Sequence, residues 1–134
     1  MAVYYVKLYF ATLVAFFVID MLWLGLVART FYSRHLGPLM APQVKWPAAT
    51  AFYLLYVLGV LVLAVLPGLE AGSLNRTLLN AALFGLVAYA TYDLTNLATL
   101  KNWPLLVTVV DLVWGTVLSV SVGFAGYMAG RWLG

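Results

Sequence analysis

The chain has 134 residues, of which 66% are hydrophobic and only 8% are charged, whereas about 25% of the residues in a soluble domain are charged. Four acidic residues and seven Lys or Arg residues cannot cover a soluble domain with polar surface, so the composition predicts a membrane protein. The net charge of +3 reflects the scarcity of acids and includes no basic run, which argues against nucleic-acid binding. Because the chain has no cysteine and a single histidine, we expect neither a metal nor a cofactor.

Four stretches are long and apolar enough to cross a bilayer, which takes about 20 residues. In chain order they cover residues 8–28, 47–66, 77–100 and 103–130. The first is longer than the apolar part of a signal peptide and contains Asp20, so we expect it to be a spanning helix. Strand-type alternation is missing, and a backbone inside lipid must then satisfy its hydrogen bonds within helices. The sequence predicts one all-α transmembrane domain over residues 1–134.

Proline and glycine separate these stretches. Pro67-Gly68 is expected to end the second helix, and Asn102-Trp103-Pro104 forms a tight turn before the fourth. Short connections make sequential helices antiparallel neighbours, which predicts an up-down four-helix bundle. The only long connection, residues 29–46, mixes aromatic, apolar and basic side chains and is expected to lie along the lipid headgroups.

Basic residues near the helix ends indicate an orientation. The first and third connections carry Arg29, Arg34, Lys45 and Lys101, and the opposite side carries Lys7, Arg76 and Arg131. The positive-inside rule favours these two connections in the cytoplasm and both termini outside. Trp46 and Trp103 on one side, and Trp132 on the other, are typical of aromatic anchors at the membrane surface.

Three of the four stretches contain one aspartate each: Asp20, Asp93 and Asp111. An aspartate at the centre of a spanning helix costs about 2.5–3.5 kcal/mol on insertion scales. Counted from Arg29 or Lys101 at about 1.5 Å per residue, all three lie roughly 12–15 Å below the same membrane face. We therefore expect the three carboxyls to form one layer, with no Lys, Arg or His among them.

Polar and aromatic residues accompany the acids. On the third helix, Tyr89, Tyr92, Asp93, Asn96 and Thr99 recur at helical spacing and form one stripe. Trp23 and Trp114 each follow an aspartate by one turn on antiparallel helices, so we expect the two indoles to bracket the layer from opposite sides. The residues predicted to bind a ligand are Asp20, Trp23, Tyr89, Tyr92, Asp93, Asn96, Asp111 and Trp114.

More than one role fits such a layer. A single protonated aspartate serves as a hydrogen-bonding contact between helices, but three at common depth favour a site that binds or passes a proton, a cation or a small cationic solute. The alternatives are a membrane-embedded lipid-modifying enzyme, in which two carboxyls act as acid and base, and an accessory subunit of such an enzyme. Whether the protein is an enzyme stays open.

The fourth helix carries a stripe of small residues. Gly115, Ser119 and Gly123, followed by Gly126 and Gly130, recur every three or four positions and allow helices to approach closely. We expect this stripe to pack within the chain, and the alternative is a contact between copies in a homo-oligomer.

Several segments together resemble a known family. These are Asp20-Met-Leu-Trp-Leu-Gly25, Tyr89-Ala-Thr-Tyr-Asp-Leu-Thr-Asn-Leu-Ala-Thr-Leu100 and Val110-Asp-Leu-Val-Trp-Gly115, with Phe31-Tyr32 and Trp103-Pro104 between them. Over almost its whole length the chain resembles the bacterial membrane proteins catalogued as domain of unknown function 2177. The resemblance implies a multi-pass protein of the bacterial cytoplasmic (inner) membrane, and it implies no particular activity.

Overall fold

The computed structural model describes residues 2–134, with Val27 described by its backbone only. The helices are α1 Ala2–Leu22, α2 Arg29–Leu36, α3 Trp46–Val60, α4 Leu66–Ala71, α5 Leu74–Thr99 and α6 Leu105–Leu133. Two π-helical segments, Trp23–Ala28 and Leu61–Val65, join α1 to α2 and α3 to α4.

Four helical units are long and apolar enough to cross a membrane. They are Ala2–Leu26, Trp46–Ala71, Leu74–Thr99 and Leu105–Leu133, called spans 1 to 4 below. Residues 2–134 contain no strand, which confirms the predicted all-α membrane bundle. Large apolar side chains such as Leu26, Leu79 and Trp132 lie exposed on its outer surface, as expected for a surface that faces lipid rather than water.

Spans 3 and 4 form the most extensive helix pair of the bundle. The ring of Tyr89 lies directly against Gly115, and the methyl of Ala81 lies 3.0 Å from where a side chain on Gly123 would begin. The two contacts are eight residues apart on each helix. From one contact to the other the residue number falls on span 3 and rises on span 4, so the helices are antiparallel and their register is fixed. Continuing that register by four residues toward the third connection brings Asp93 opposite Asp111.

The small-residue stripe of span 4 is buried inside the chain. Gly126 packs against Val65 and Thr12, and Gly130 accepts a hydrogen bond of 2.8 Å from the Tyr4 hydroxyl at its carbonyl. Between helices in lipid, where no hydrophobic effect drives association, such close contacts supply much of the attraction. Spans 1, 2 and 3 cover this stripe within the chain, as expected, and the homo-oligomer stays a prediction.

The helix that forms span 1 does not end at residue 28, where the sequence predicts its end. The helix continues through the π-helical segment and α2 to Leu36, and a short 3-10 turn, Gly37–Leu39, follows it. The first proline after Asp20 is Pro38, two residues past the end of α2. The first eight residues of the long connection, 29–36, are therefore helical and follow the first span without a break. That the connection lies along the headgroups stays a prediction.

Span 2 also continues past its expected end. Pro67 is the second residue of α4, which restarts after the π-helical segment, and at that position the missing N–H of proline costs little. The helix ends instead at Gly72, whose φ of 63° requires the left-handed region that glycine adopts freely.

Spans 2 and 3 are joined at one end and separate at the other. Thr77 donates a hydrogen bond of 2.9 Å to the carbonyl of Ala64, and Asn80 donates one of 3.1 Å to that of Leu63. Both acceptors lie in the π-helical segment, where carbonyls are freed from the regular pattern. Over Trp46–Val60, by contrast, span 2 has few neighbours on span 3. The gap between these spans therefore widens toward the first and third connections.

Trp103 is buried and does not anchor the protein at the membrane surface. Its Nε1 donates a hydrogen bond of 3.0 Å to Thr108, and its ring meets that of Tyr92 edge to face. The sequence-based expectation is wrong here because Asn102, with φ of 62°, turns the chain so sharply that Trp103 folds back onto span 4. Trp46 and Trp132 are exposed near the span ends, as expected of anchors.

Candidate functional site

Asp93 and Asp111 form a pair of carboxyls at the interface of spans 3 and 4. Asp93 is completely buried, and neither of its oxygens accepts a hydrogen bond from a donor of residues 2–134 that the structure describes. The register of spans 3 and 4 places Asp111 opposite Asp93. Two ionised carboxylates that face each other repel, whereas one proton between neighbouring carboxyls makes a hydrogen bond. A carboxyl pair of this kind has the chemistry to share a proton.

Tyr32, on α2, donates its hydroxyl to Asp111 Oδ1. Burial, followed by the contact with Asp111, raises the pKa of Tyr32 above its usual range, so the hydroxyl remains a donor. The prediction of an interfacial connection missed this residue. The signal that could have identified it is the absence of any proline between Asp20 and Tyr32, which allows one helix to carry both.

Trp23 and Trp114 stack on each other. Their ring centroids are 4.3 Å apart and their planes are inclined by 9°, an arrangement that brings two large π faces to one place. The expectation that the indoles lie on opposite sides of the acids is wrong. Within the part of the chain that the structure describes, the buried Nε1 of Trp23 has no hydrogen-bond acceptor.

The stack also shows how far Asp20 lies from Asp111 along the bundle. Asp20 and Asp111 each precede a stacked indole by three residues, and spans 1 and 4 are antiparallel, so the two carboxyls are offset by about six residues, or about 9 Å. Asp93 and Asp111 thus lie at one level of the bundle and Asp20 at another, so the expectation of one level for all three is wrong for Asp20. It failed because Arg29, taken as the membrane face, lies within a continuous helix.

A cavity of about 380 Å³ connects the two levels. Asp20 and Asp111 both line it, with Tyr53 and Tyr89 between them. The predicted residues on its wall are Asp20, Trp23, Tyr89, Tyr92, Asp111 and Trp114. Asp93 lies behind Asp111, and Asn96, one turn closer to the third connection, lines none of the cavities described here.

Two more cavities meet at Asp111 and Tyr92. One, of about 440 Å³, lies in the gap between spans 2 and 3 and is lined by Phe52 and Ala88. The other, of about 580 Å³, lies beneath α2 and is lined by Arg29. Asp111 is therefore approached from the lipid side and from the side of the first connection. Arg29 stands on the second route, while the hydrogen bond that Asp111 accepts comes from Tyr32.

The arrangement combines acids with aromatic walls. Asp20 is buried with no basic side chain of residues 2–134 close enough to offset its charge. Ring faces of tryptophan and tyrosine attract a cation, and the attraction strengthens where water is excluded. Among the described residues, no three His, Cys, Asp or Glu side chains converge to hold a metal ion. The chemistry that these groups can perform is binding of a positively charged group and transfer of a proton.

One family of proteins matches the chain. The family model described as a predicted membrane protein, DUF2177, matches residues 5–128, a range that includes all three aspartates and both stacked tryptophans. No curated protein and no solved structure matches. The chain belongs to this family of predicted membrane proteins, domain of unknown function 2177.

Proposed function

We propose that the protein binds a small organic cation at Asp111 and Asp20 inside the membrane and exchanges it with a proton. The observation that carries this proposal is the single cavity that both carboxyls line. A buried carboxylate without a basic partner is costly, and a bound proton or cation removes that cost.

The aromatic residues support an organic cation over a bare metal ion. The stacked Trp23 and Trp114, together with Tyr53 and Tyr89, wall the cavity around the two acids. Rings favour alkylated ammonium groups, which shed water at low cost. A metal ion would instead require several oxygen ligands at short distance.

Proton exchange follows from the pairing of Asp93 with Asp111. When the pair shares one proton, it carries a single negative charge that Asp111 can present to the cavity. A cation close to Asp111 disfavours the shared proton, because both compete for the same carboxylate charge. Cation binding should therefore release a proton and should weaken as the pH falls. The two routes to Asp111 would allow the protein to pass its solute as well as bind it.

Binding of tetramethylammonium to the purified protein in detergent micelles tests this proposal. Because Trp23 and Trp114 wall the cavity, binding should change the tryptophan fluorescence in a saturable manner. Asp111→Asn should weaken binding by about tenfold or more, which corresponds to about 1.4 kcal/mol. Glu70→Gln is the matched control, since Glu70 is the one acid outside the site and is exposed at the far end of span 2. Equal affinity of the wild type and Asp111→Asn would refute the proposal.

A second candidate is a membrane-embedded enzyme that acts on lipid. It is favoured by one observation, the lateral cavity lined by Phe52 and Ala88, which gives a lipid access to Asp111. Asp93 and Asp111 would then serve as acid and base. Lipid extracts of cells with wild-type protein and with Asp93→Asn should differ in this case, and identical lipid profiles would remove it.

We also propose that the membrane is the cytoplasmic membrane of a bacterium, crossed four times. The helical spans and the resemblance of the motif residues to a bacterial family support this location. The positive charges of the first and third connections favour the cytoplasmic side for both, so that Asp111 would be closer to the cytoplasm than Asp20.

A further inference from the structure

A groove without polar lining continues from the candidate site along the outside of spans 2 and 3. Its volume is about 470 Å³, and Leu55, Leu58, Val62, Leu63 and Phe84 form its walls. Phe52 and Ala88 line both this groove and the lateral cavity that reaches Asp111. The groove therefore adjoins the lateral cavity, which leads to the acidic site.

The groove has a defined direction and a defined end. From Phe52 to Leu63 it follows span 2 for eleven residues, or about 16 Å, away from the first and third connections. It ends where Asn80 donates its hydrogen bond to the Leu63 carbonyl and holds spans 2 and 3 together. Part of its floor is the ring of Phe84, which approaches Gly59 so closely that a side chain there would begin 2.6 Å from it.

We propose that the cation taken by this site is the headgroup of a single-chain amphiphile, an alkylamine or alkylammonium, whose alkyl chain lies in this groove. The inference rests on the proposed function and adds the substrate class to it. Charge complementarity assigns the headgroup, because the two acids lie at one end of the path and the other end, which Tyr56 lines with its ring beside apolar side chains, exposes no polar surface.

The direction of the path agrees with the way an amphiphile lies in a bilayer. The end at Asp111 is near the first and third connections, and the groove leads from there toward the middle of spans 2 and 3. A ligand could therefore enter sideways through the widening gap, with its charged end near the headgroups and its chain among the lipid tails. Because the groove and the surrounding lipid are equally apolar, the acids rather than the chain would supply the selectivity.

Photolabelling tests where the chain lies. The probe is dodecyltrimethylammonium carrying a diazirine near the end of its chain, added to the protein in phosphatidylcholine nanodiscs and mapped by mass spectrometry after irradiation. Labelling should concentrate on residues 58–63 and Phe84, should decline when tetramethylammonium competes, and should be lost in Asp111→Asn. A dodecyl sulfate probe with the same diazirine should not label these residues preferentially.

A matched pair of variants tests the path itself. Ala88→Phe fills the junction between the lateral cavity and the groove, whereas Ala98→Phe adds the same ring at an exposed position of span 3 outside the cavities. Ala88→Phe should reduce labelling at residues 58–63 at least fivefold. Tetramethylammonium should still change the tryptophan fluorescence of this variant, and that change shows that the site is folded. Ala98→Phe should label like the wild type.

The outcomes separate this inference from the proposed function. Labelling spread over the lipid-facing side of all four spans, or equal labelling by the anionic probe, would overturn the inference even if tetramethylammonium binds and Asp111→Asn abolishes that binding. If tetramethylammonium does not bind to the wild type, or binds equally to Asp111→Asn, the proposed function fails and the inference fails with it.

Discussion

The hydroxyl of Tyr32 donates a hydrogen bond to Asp111 and so ties the helical extension of span 1 to span 4. The two residues are 79 positions apart in the chain. Their contact closes one side of the site with Tyr32, which precedes Pro38, the first proline of the connection. It also gives Asp111 a neutral donor on the side where Arg29 lines the cavity.

Removing the Tyr32 hydroxyl should destabilise the protein in a pH-dependent manner. At pH 8, Tyr32→Phe should lower the free energy of unfolding by about 1 kcal/mol through loss of the hydrogen bond. Because the pKa of Tyr32 is raised from its ordinary value of 10.0 in the folded protein, the unfolded wild type loses this proton first as the pH rises. Wild-type stability should therefore fall above pH 10, and its advantage over Tyr32→Phe should narrow. An advantage that grows with pH would contradict this account.

The stacked indoles should have a spectroscopic signature. Coupling between Trp23 and Trp114 should contribute a component to the near-ultraviolet circular dichroism spectrum. Trp23→Phe and Trp114→Phe should each abolish this component to the same extent, because either change removes the pair. Trp132→Phe is the control, since Trp132 is 85% exposed and belongs to no aromatic pair of the described residues. Unequal effects of the two site substitutions would count against the stack.

Close packing of spans 3 and 4 should tolerate no added methyl at Gly115. The ring of Tyr89 occupies the space that a side chain there would need, so Gly115→Ala should lower the free energy of unfolding in micelles by about 1–3 kcal/mol. Gly25→Ala is the matched control because no described atom lies within 4 Å of the added group. It should be neutral or slightly stabilising, and equal losses from both variants would show that spans 3 and 4 pack differently.

The proposed sharing of a proton between Asp93 and Asp111 has an infrared signature. The infrared spectrum of the wild type should then contain the carbonyl stretch of a protonated carboxyl, and Asp93→Asn should reduce its intensity. Glu70→Gln should leave the band unchanged. A band of equal intensity in the wild type and in Asp93→Asn would show that the proton resides elsewhere.

The sequence predicts what depends on composition and local periodicity. Hydropathy predicts the four spans and their antiparallel order. Three- or four-residue spacing indicates that Asp20, Asp111 and the two tryptophans face the inside of the bundle, where they line one cavity. The packing of Gly115 and Gly123 within the chain follows from the small-residue spacing, because close helix contact has few alternatives in a bundle this small.

The parts that the sequence does not predict depend on helix register and on where helices end. Because the helix of span 1 continues to Leu36, Arg29 does not mark its end, and Asp20 lies about 9 Å from the level of Asp111. The same continuation brings Tyr32 to the site. Two π-helical segments account for much of the difference between the predicted and the observed helix registers. Their shifted hydrogen-bond pattern cannot be recognised from the types of residue in the sequence. The stack of Trp23 on Trp114 depends on the same register and could not be read from spacing within either helix.

Carbon-13 NMR of the side-chain carboxyls tests the central claim most directly. The chain has only four acidic side chains, Asp20, Glu70, Asp93 and Asp111, so each carboxyl resonance can be followed separately in micelles. On titration with tetramethylammonium, the resonances of Asp111 and Asp20 should move in parallel to saturation, while that of exposed Glu70 stays fixed. Equal small movements of all four resonances, or none at the aspartates, would contradict a cation site at these two residues.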